Sequence, residues 1–203
     1  MHKEILTEEQ IALLPLVKSF SKNFGLVGGT AIALHIGHRR SIDFDLFSEK
    51  EFGNLLLQRK IEKEWKIDEV IINKKGEFTF VMNAVKFTFF HYPFAIPYTE
   101  SFDYIIKLPS LAVLSAMKAF ALGQRAKWKD YVDLYFVMKN FLSFQEIVLK
   151  SKELFGTKFN EKLFRIQLSY FNDINYEEKV EFLPGFEVSE DVVKKQLVEF
   201  SLK

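Results

Sequence analysis

Apolar and polar positions follow two regimes along this chain. Thr7 followed by Gln10 reads as a capping box, and residues 11–20 behind it carry apolar side chains at helical spacing, which predicts an amphipathic helix. "FGLVG", residues 24–28, is a short apolar run ending in glycines and predicts a brief strand. Residues 30–36 have the composition of a short helix, stopped by Gly37. "SIDFDLF", residues 41–47, alternates. Ile42, Phe44 and Leu46 fall on one side and Ser41, Asp43 and Asp45 on the other, which predicts a half-buried strand with a carboxylate face. Ser48 and Glu51 read as a second capping box opening a helix over 49–64. Three β-rich runs follow, 67–73, 77–82 and 85–91, with "NKKGE" as a hairpin turn between the first two and "MNAV" compatible with another. Pro93 and Pro97 close this section.

After Pro109 and Ser110 the period lengthens to that of a helix. "SLAVLSAMKAFAL" predicts one helix, with Gly123 as its stop, and "KDYVDLYFVMKN", residues 129–140, a second. From Ser143 onward the pattern predicts further helices, interrupted at "EFLPGFEVSED". No internal repeat, low-complexity tract or clear linker breaks the chain. The order, mixed first and mostly helical later, predicts an α+β fold: a mixed sheet flanked by helices over residues 1–107 and a helical part over 108–203, as two parts or one compact unit.

Composition narrows the function classes. The chain has 203 residues, 48% of them hydrophobic and 27% charged, with a formal net charge of +1. These are ordinary values for a water-exposed globular domain, and no global field marks a nucleic-acid coat or a membrane-surface protein. The absence of cysteine removes disulfides, thiolate metal sites and cysteine nucleophiles. "MHKEILTEEQ" is too polar for a signal peptide, and no apolar run approaches the roughly 20 residues that cross a bilayer. The expectation is a cytoplasmic protein with no membrane partner. The 23 phenylalanines read as core material.

Candidate chemistry concentrates in "GLVGGTAIALHIGHRRSIDFDL", residues 25–46. On a strand, Asp43 and Asp45 project from one face with Cβ atoms roughly 6–7 Å apart. That separation suits a hard divalent cation, Mg²⁺ or Mn²⁺, which takes the rest of its shell from water or phosphate and relieves the repulsion between the carboxylates. Gly28 and Gly29 lie between a strand and a helix, where glycine admits close backbone approach and the helix N-terminus offers free N–H donors. This is an anion site, most naturally for phosphate, and the Thr30 hydroxyl can add a donor. Arg39 and Arg40 stand just before the aspartate strand, placed to meet an anionic substrate. Each feature alone is commonplace: a Gly-Gly is usually a turn and an Asp-x-Asp a solvated strand face. Their order, strand, Gly-Gly-Thr, helix, Asp-Phe-Asp-Leu, is far more specific.

That order resembles the signature of the DNA polymerase β-like nucleotidyltransferase superfamily, and "GGTAIALHIGHRRSIDFDLF" is most similar to the AbiEii/AbiGii toxin family within it. The resemblance implies that Gly28, Gly29 and Thr30 hold the triphosphate of a nucleoside triphosphate. It also implies that Asp43 and Asp45 bind two Mg²⁺ ions as metal ligands and catalytic residues. It extends to an acceptor such as an RNA 3′ end, tRNA included, and to a role as the toxin of a toxin–antitoxin or phage-abortive system with a cognate antitoxin.

A second stretch, "MKAFALGQRAKWKDYVDL", residues 117–134, resembles the family's downstream motif. Read without the resemblance, it is equally a solvated turn between two helices, with Asp130 and Asp133 as neighbours three apart on the second. By the resemblance Lys118 contacts the nucleotide phosphates, Arg125 and Lys129 support that positive side, and Asp130 and Asp133 are acids of the site, Lys118 and Asp130 foremost. "LSYFNDI", residues 168–174, resembles the family's tail. One departure stands out. Where related enzymes carry a third carboxylate on a later strand, "VKFTFF", residues 85–90, offers Thr88. Either another acid such as Asp130 takes its role, or the chain binds without efficient catalysis. The readings therefore divide between a metal-dependent nucleotidyltransferase and a catalytically weak protein on the same fold that binds nucleotide, RNA or a protein partner. A two-metal nuclease is a weaker third, because it leaves the glycine turn without a role.

Overall fold

The computed structural model describes residues 1–203. The fold is α+β, as the alternation of patterns predicts. The chain divides into two compact units: Leu6–Ala31 with Ser41–Ser110, and Met1–Ile5 with Ile32–Arg40 and Leu111–Lys203. The longest helical stretch of the second unit starts at Leu111, and two N-terminal segments group with it.

The first unit is built on a five-stranded sheet of order β1-β2-β5-β4-β3, from β1 (Gly25–Val27), β2 (Asp43–Ser48), β3 (Glu69–Lys74), β4 (Glu77–Met82) and β5 (Val85–His91). All neighbours are antiparallel except β2 and β5, which run parallel. The expected β-runs all form. Alternation sorts their side chains: Phe44 and Leu46 of β2, Phe87 and Phe89 of β5, and Phe78 and Phe80 of β4 are fully buried on one face. Phe87 lies opposite both Phe44 and Phe80, stacking on Phe80 at 5.2 Å between ring centroids. Each buried phenylalanine contributes roughly 2–3 kcal/mol by leaving water. These phenylalanines serve as core, and the opposite face of the sheet carries Asp43, Asp45, Lys86, Thr88 and Thr79 together with Phe47 and Phe90.

Three local expectations change. The helix expected over 11–20 is split into α1 (Glu8–Ala12) and α2 (Leu14–Ser19), because Pro15 lies in the first turn of α2 and cannot continue a helix from before it. The Thr7–Gln10 capping box does form. The Ser48–Glu51 box does not: Ser48 is the last residue of β2, its hydroxyl accepts from the Lys50 amide, and helix α4 (Asn54–Glu62) starts later, behind Gly53. Beyond Pro97 a small hairpin of β6 (Glu100–Phe102) and β7 (Ile106–Leu108) continues the β section.

Helix α3 (Gly28–Ile36) begins two residues earlier than expected, and the division between the units runs through it. Gly37, with φ of +77°, stops it. The helical unit continues with α5 (Leu111–Leu122), α6 (Trp128–Asn140), α7 (Phe144–Phe155), α8 (Glu161–Ser169) and α9 (Glu190–Ser201). Helix α5 packs on α6, α7 and α8, and α9 packs on α6 and α8. Helix α6 is buried along most of its length, including Asp130 and Asp133. Buried carboxylates demand partners, which come from α5 and from the residues just after α3.

Candidate active site

In the sheet unit, the turn from β1 into α3 and the aspartate strand are built against each other. Val27 pairs with Asp45 across β1 and β2, and Gly28 follows directly with φ of +74°. A Cβ on Gly28 would lie 2.0 Å from Oδ2 of Asp45. The position requires glycine twice, for its left-handed backbone and for the space the carboxylate fills. Asp45 is thereby placed beside the N-terminus of α3, where the helix dipole favours anions. Gly29, half-buried, is the next residue of the same turn.

Thr30 works differently from the expectation. Its buried hydroxyl donates to the Asp43 carbonyl and lies 2.9 Å from the Ser41 hydroxyl, so it ties α3 to the entry of β2. Gln10 Nε2 donates to the Ser41 carbonyl at 2.8 Å and clamps the same point. Ser41 is consequently buried and Ile42 exposed, the reverse of simple alternation, which holds only from Asp43 onward where β2 begins.

Asp43 and Asp45 share the half-exposed face of β2. The parallel partner β5 sets Lys86 opposite Asp43 and Thr88 opposite Asp45. Lys86 Nζ lies 2.9 Å from Asp43 Oδ2. Thr88 thus shares the aspartates' face beside Asp45, and its hydroxyl lies 3.5 Å from that of Thr79. No group of three histidine, aspartate or glutamate side chains that could hold a metal ion is assembled. Two carboxylates on one accessible face fit a hard divalent cation, which is commonly held through one or two protein carboxylates, with phosphates and water supplying the rest.

The helical unit carries a buried ion network. Lys118 of α5 donates to Asp130 Oδ1 at 2.7 Å and meets Asp133 Oδ2 at 3.1 Å. Arg39 grips Asp133 with Nε on Oδ1 and Nη2 on Oδ2, and His38 Nε2 lies 2.8 Å from the same Oδ1. Arg125, half exposed, donates Nε to Asp130 Oδ2 at 3.1 Å. Burial alone would push Asp133 up, but the Arg39 and Lys118 charges outweigh it and hold its carboxyl well below the usual carboxylate range. Burial alone would push Lys118 down, yet Asp130 and Asp133 raise it above the usual lysine value. Burial dominates at His38 and lowers it, so the ring is neutral. Because the carboxylate only accepts, Nε2 carries the proton, and the unprotonated Nδ1 is buried without a partner.

The structure thus brings Gly28, Asp43 and Asp45 together in one unit and Arg39, Lys118, Arg125, Asp130 and Asp133 in the other. Arg39, expected to meet substrate, is turned inward onto Asp133. Arg40 pairs with Glu181, and Lys129 shares Glu178 with Lys127. Burial opposes the ionisation of Glu178, but the two lysines bring it down to about 2. His38, Glu178 and the Lys86–Asp43 pair carry no sequence signal except that residues 85–90 alternate, which does place Lys86 on the face of Thr88.

No family model matches the chain. It is 31% identical over 205 residues to the uncharacterized protein aq_aa25 of Aquifex aeolicus, covering 96% of this chain and 97% of that one. Among solved structures it resembles a candidate nucleotidyltransferase from Helicobacter pylori, with a TM-score of 0.62 at 14% identity over 96% of this chain and 92% of that one. It also resembles MenT4, a nucleotidyltransferase toxin of Mycobacterium tuberculosis H37Rv, with a TM-score of 0.61 at 13% identity over 95% and 81% of the two chains. JHP933 from Helicobacter pylori gives a TM-score of 0.56 at 15% identity over 97% and 92%. At these identities the likeness shows the fold, which is that of nucleotidyltransferases.

Proposed function

We propose that this chain, which belongs to one family with the Aquifex aeolicus protein aq_aa25, is a metal-dependent nucleotidyltransferase. It transfers a nucleoside monophosphate from a nucleoside triphosphate to an acceptor hydroxyl. The observation that carries the reading is the placement of the Asp45 carboxylate against Gly28. A phosphate-accepting helix terminus and a metal-binding carboxylate face are built into one another, as a metal-bound triphosphate requires.

In this reading Gly28 and Gly29 admit the phosphates to the N-terminus of α3, and Thr30 holds the entry of β2 in place. Asp43 and Asp45 are the ligands for Mg²⁺ or Mn²⁺. When bound, the cation supplies positive charge to the phosphate oxygens. The acceptor oxygen bonds to the α-phosphorus as the bond from that phosphorus to the bridging oxygen breaks. Pyrophosphate leaves with the electron pair, and the acceptor's proton passes to water at the half-exposed face. In the helical unit the Lys118 ammonium keeps its proton because Asp130 and Asp133 hold it, and Arg125 donates to the same Asp130.

The AbiEii/AbiGii-like motifs support a toxin role, with an RNA 3′ end such as that of tRNA as acceptor and a cognate antitoxin as partner, and this reading places the protein in the cytoplasm; MenT4, a nucleotidyltransferase toxin, shares the fold. Incubation with labelled nucleoside triphosphates, Mg²⁺ and total RNA tests the proposal, and labelled RNA is the expected product. A second reading, a catalytically silent nucleotide binder, draws on Thr88 at the third acid position and Lys86 on Asp43. It predicts nucleotide binding with no labelling of any acceptor.

A further inference from the structure

The sheet face that carries Asp43 and Asp45 has a charge pattern suited to one metal ion rather than two. Across β2, β5 and β4 its rows read Asp43, Lys86, Val81 and then Asp45, Thr88, Thr79. The next row is Phe47, Phe90 and Glu77, and Glu77 is paired with Lys74. Two carboxylates and one ammonium therefore meet where a two-metal site needs a third carboxylate. Two-metal phosphoryl-transfer centres hold their ions roughly 3.5–4 Å apart. Here Lys86 Nζ already lies 2.9 Å from Asp43 Oδ2, within the shell a second ion would use.

Formal charge decides which occupancy suits a triphosphate. Three carboxylates with two divalent ions present a single net positive charge to the nucleotide. Two carboxylates, one lysine and one divalent ion present the same. Adding a second ion to the present residues would leave three uncompensated positive charges on a face whose next carboxylate, Glu77, is already paired with Lys74. A lysine ammonium is also a compact point charge on a flexible stem, about a third exposed here, able to pivot from Asp43 to a phosphate oxygen without leaving the site.

We propose that this face takes a single divalent cation, and that Lys86 supplies the second positive centre, held by Asp43 and turned to the phosphates when nucleotide binds. The proposal rests on the nucleotidyltransferase reading and goes beyond it by fixing the metal count and giving Lys86 the place of an ion.

Counting Mn²⁺ tests it without any turnover. The full chain is saturated with a mixture of the four nucleoside α,β-methylene triphosphates, and free Mn²⁺ is followed by its electron paramagnetic resonance signal. One Mn²⁺ per protein–nucleotide complex is expected for the wild type, and two for the Lys86→Met/Thr88→Asp double variant. Lys86→Gln is expected to weaken analogue binding roughly tenfold while keeping one Mn²⁺. Two Mn²⁺ in the wild type would overturn the role of Lys86 while leaving nucleotidyl transfer standing. No analogue binding at all, with or without Mn²⁺, would overturn the underlying reading as well.

Discussion

Arg39 and Asp133, 94 positions apart, meet in the interior through two parallel hydrogen bonds of 2.7 and 2.9 Å. The pair is fully desolvated, and Lys118 and His38 close around the same carboxylate. Removing one member of such a pair strands a charge in low dielectric. Asp133→Asn is expected to cost about 3–5 kcal/mol of folding stability, measured by urea denaturation. A loss under 1 kcal/mol would show that the network is not the keystone of the helical unit.

The same network sets a pH dependence. His38 titrates below its ordinary value when folded, so between that lowered value and about pH 6.5 the unfolded chain binds the extra proton. Stability therefore falls as pH drops below about 6.5. Asp133 is depressed too, and its contribution is lost further down, as pH falls from about 4 through its folded value. Lys118 is raised, so its contribution is complete below about pH 10.4 and is lost as pH climbs through its folded value. Denaturation midpoints at a series of pH values check the order of these losses. In His38→Gln the loss that begins near pH 6.5 should vanish while the lower one remains.

Gly28→Ala places a Cβ into the Asp45 carboxylate on a backbone already at positive φ. The expected result is destabilisation by about 1–2 kcal/mol and loss of nucleotide binding, read by calorimetric titration with Mg²⁺-nucleotide. Gly29→Ala, in an ordinary helical conformation, separates backbone strain from ligand approach: it should fold normally and weaken binding.

Much of this site was legible in local pattern. Alternation in residues 43–48 set both aspartates on one face, and alternation in 85–90 set Lys86 beside Thr88. The apolar run ending in Gly28-Gly29 marked the turn into α3. What local pattern could not carry was pairing at a distance. Arg39 reads as a substrate-facing cation until Asp133, on a helix far along the chain, is packed beside it. Ser48 and Glu51 match a capping box in spacing, but the hydrogen bonds of β2 claim Ser48 first. The β6–β7 hairpin has three-residue strands, too short for alternation to register between prolines.

Thr30→Val keeps the shape of the side chain and removes its bond to the Asp43 carbonyl. A cost of about 1 kcal/mol is expected in thermal or urea unfolding. Metal affinity should also fall several-fold in Mn²⁺ titration, because the entry of β2 then loses its tether to the glycine turn. Unchanged metal affinity would separate Thr30 from the positioning of Asp43.

The Gly28–Asp45 arrangement is expected to support transfer of a nucleoside monophosphate. Parallel reactions with α- and γ-labelled nucleoside triphosphates in Mg²⁺ and total RNA test it most directly. The expected outcome is that α-label enters RNA, that γ-label is released as pyrophosphate, and that Asp43→Asn, Asp45→Asn or chelation of the metal abolishes both. Label entering RNA from the γ-position, or α-labelling that survives Asp45→Asn, would contradict it.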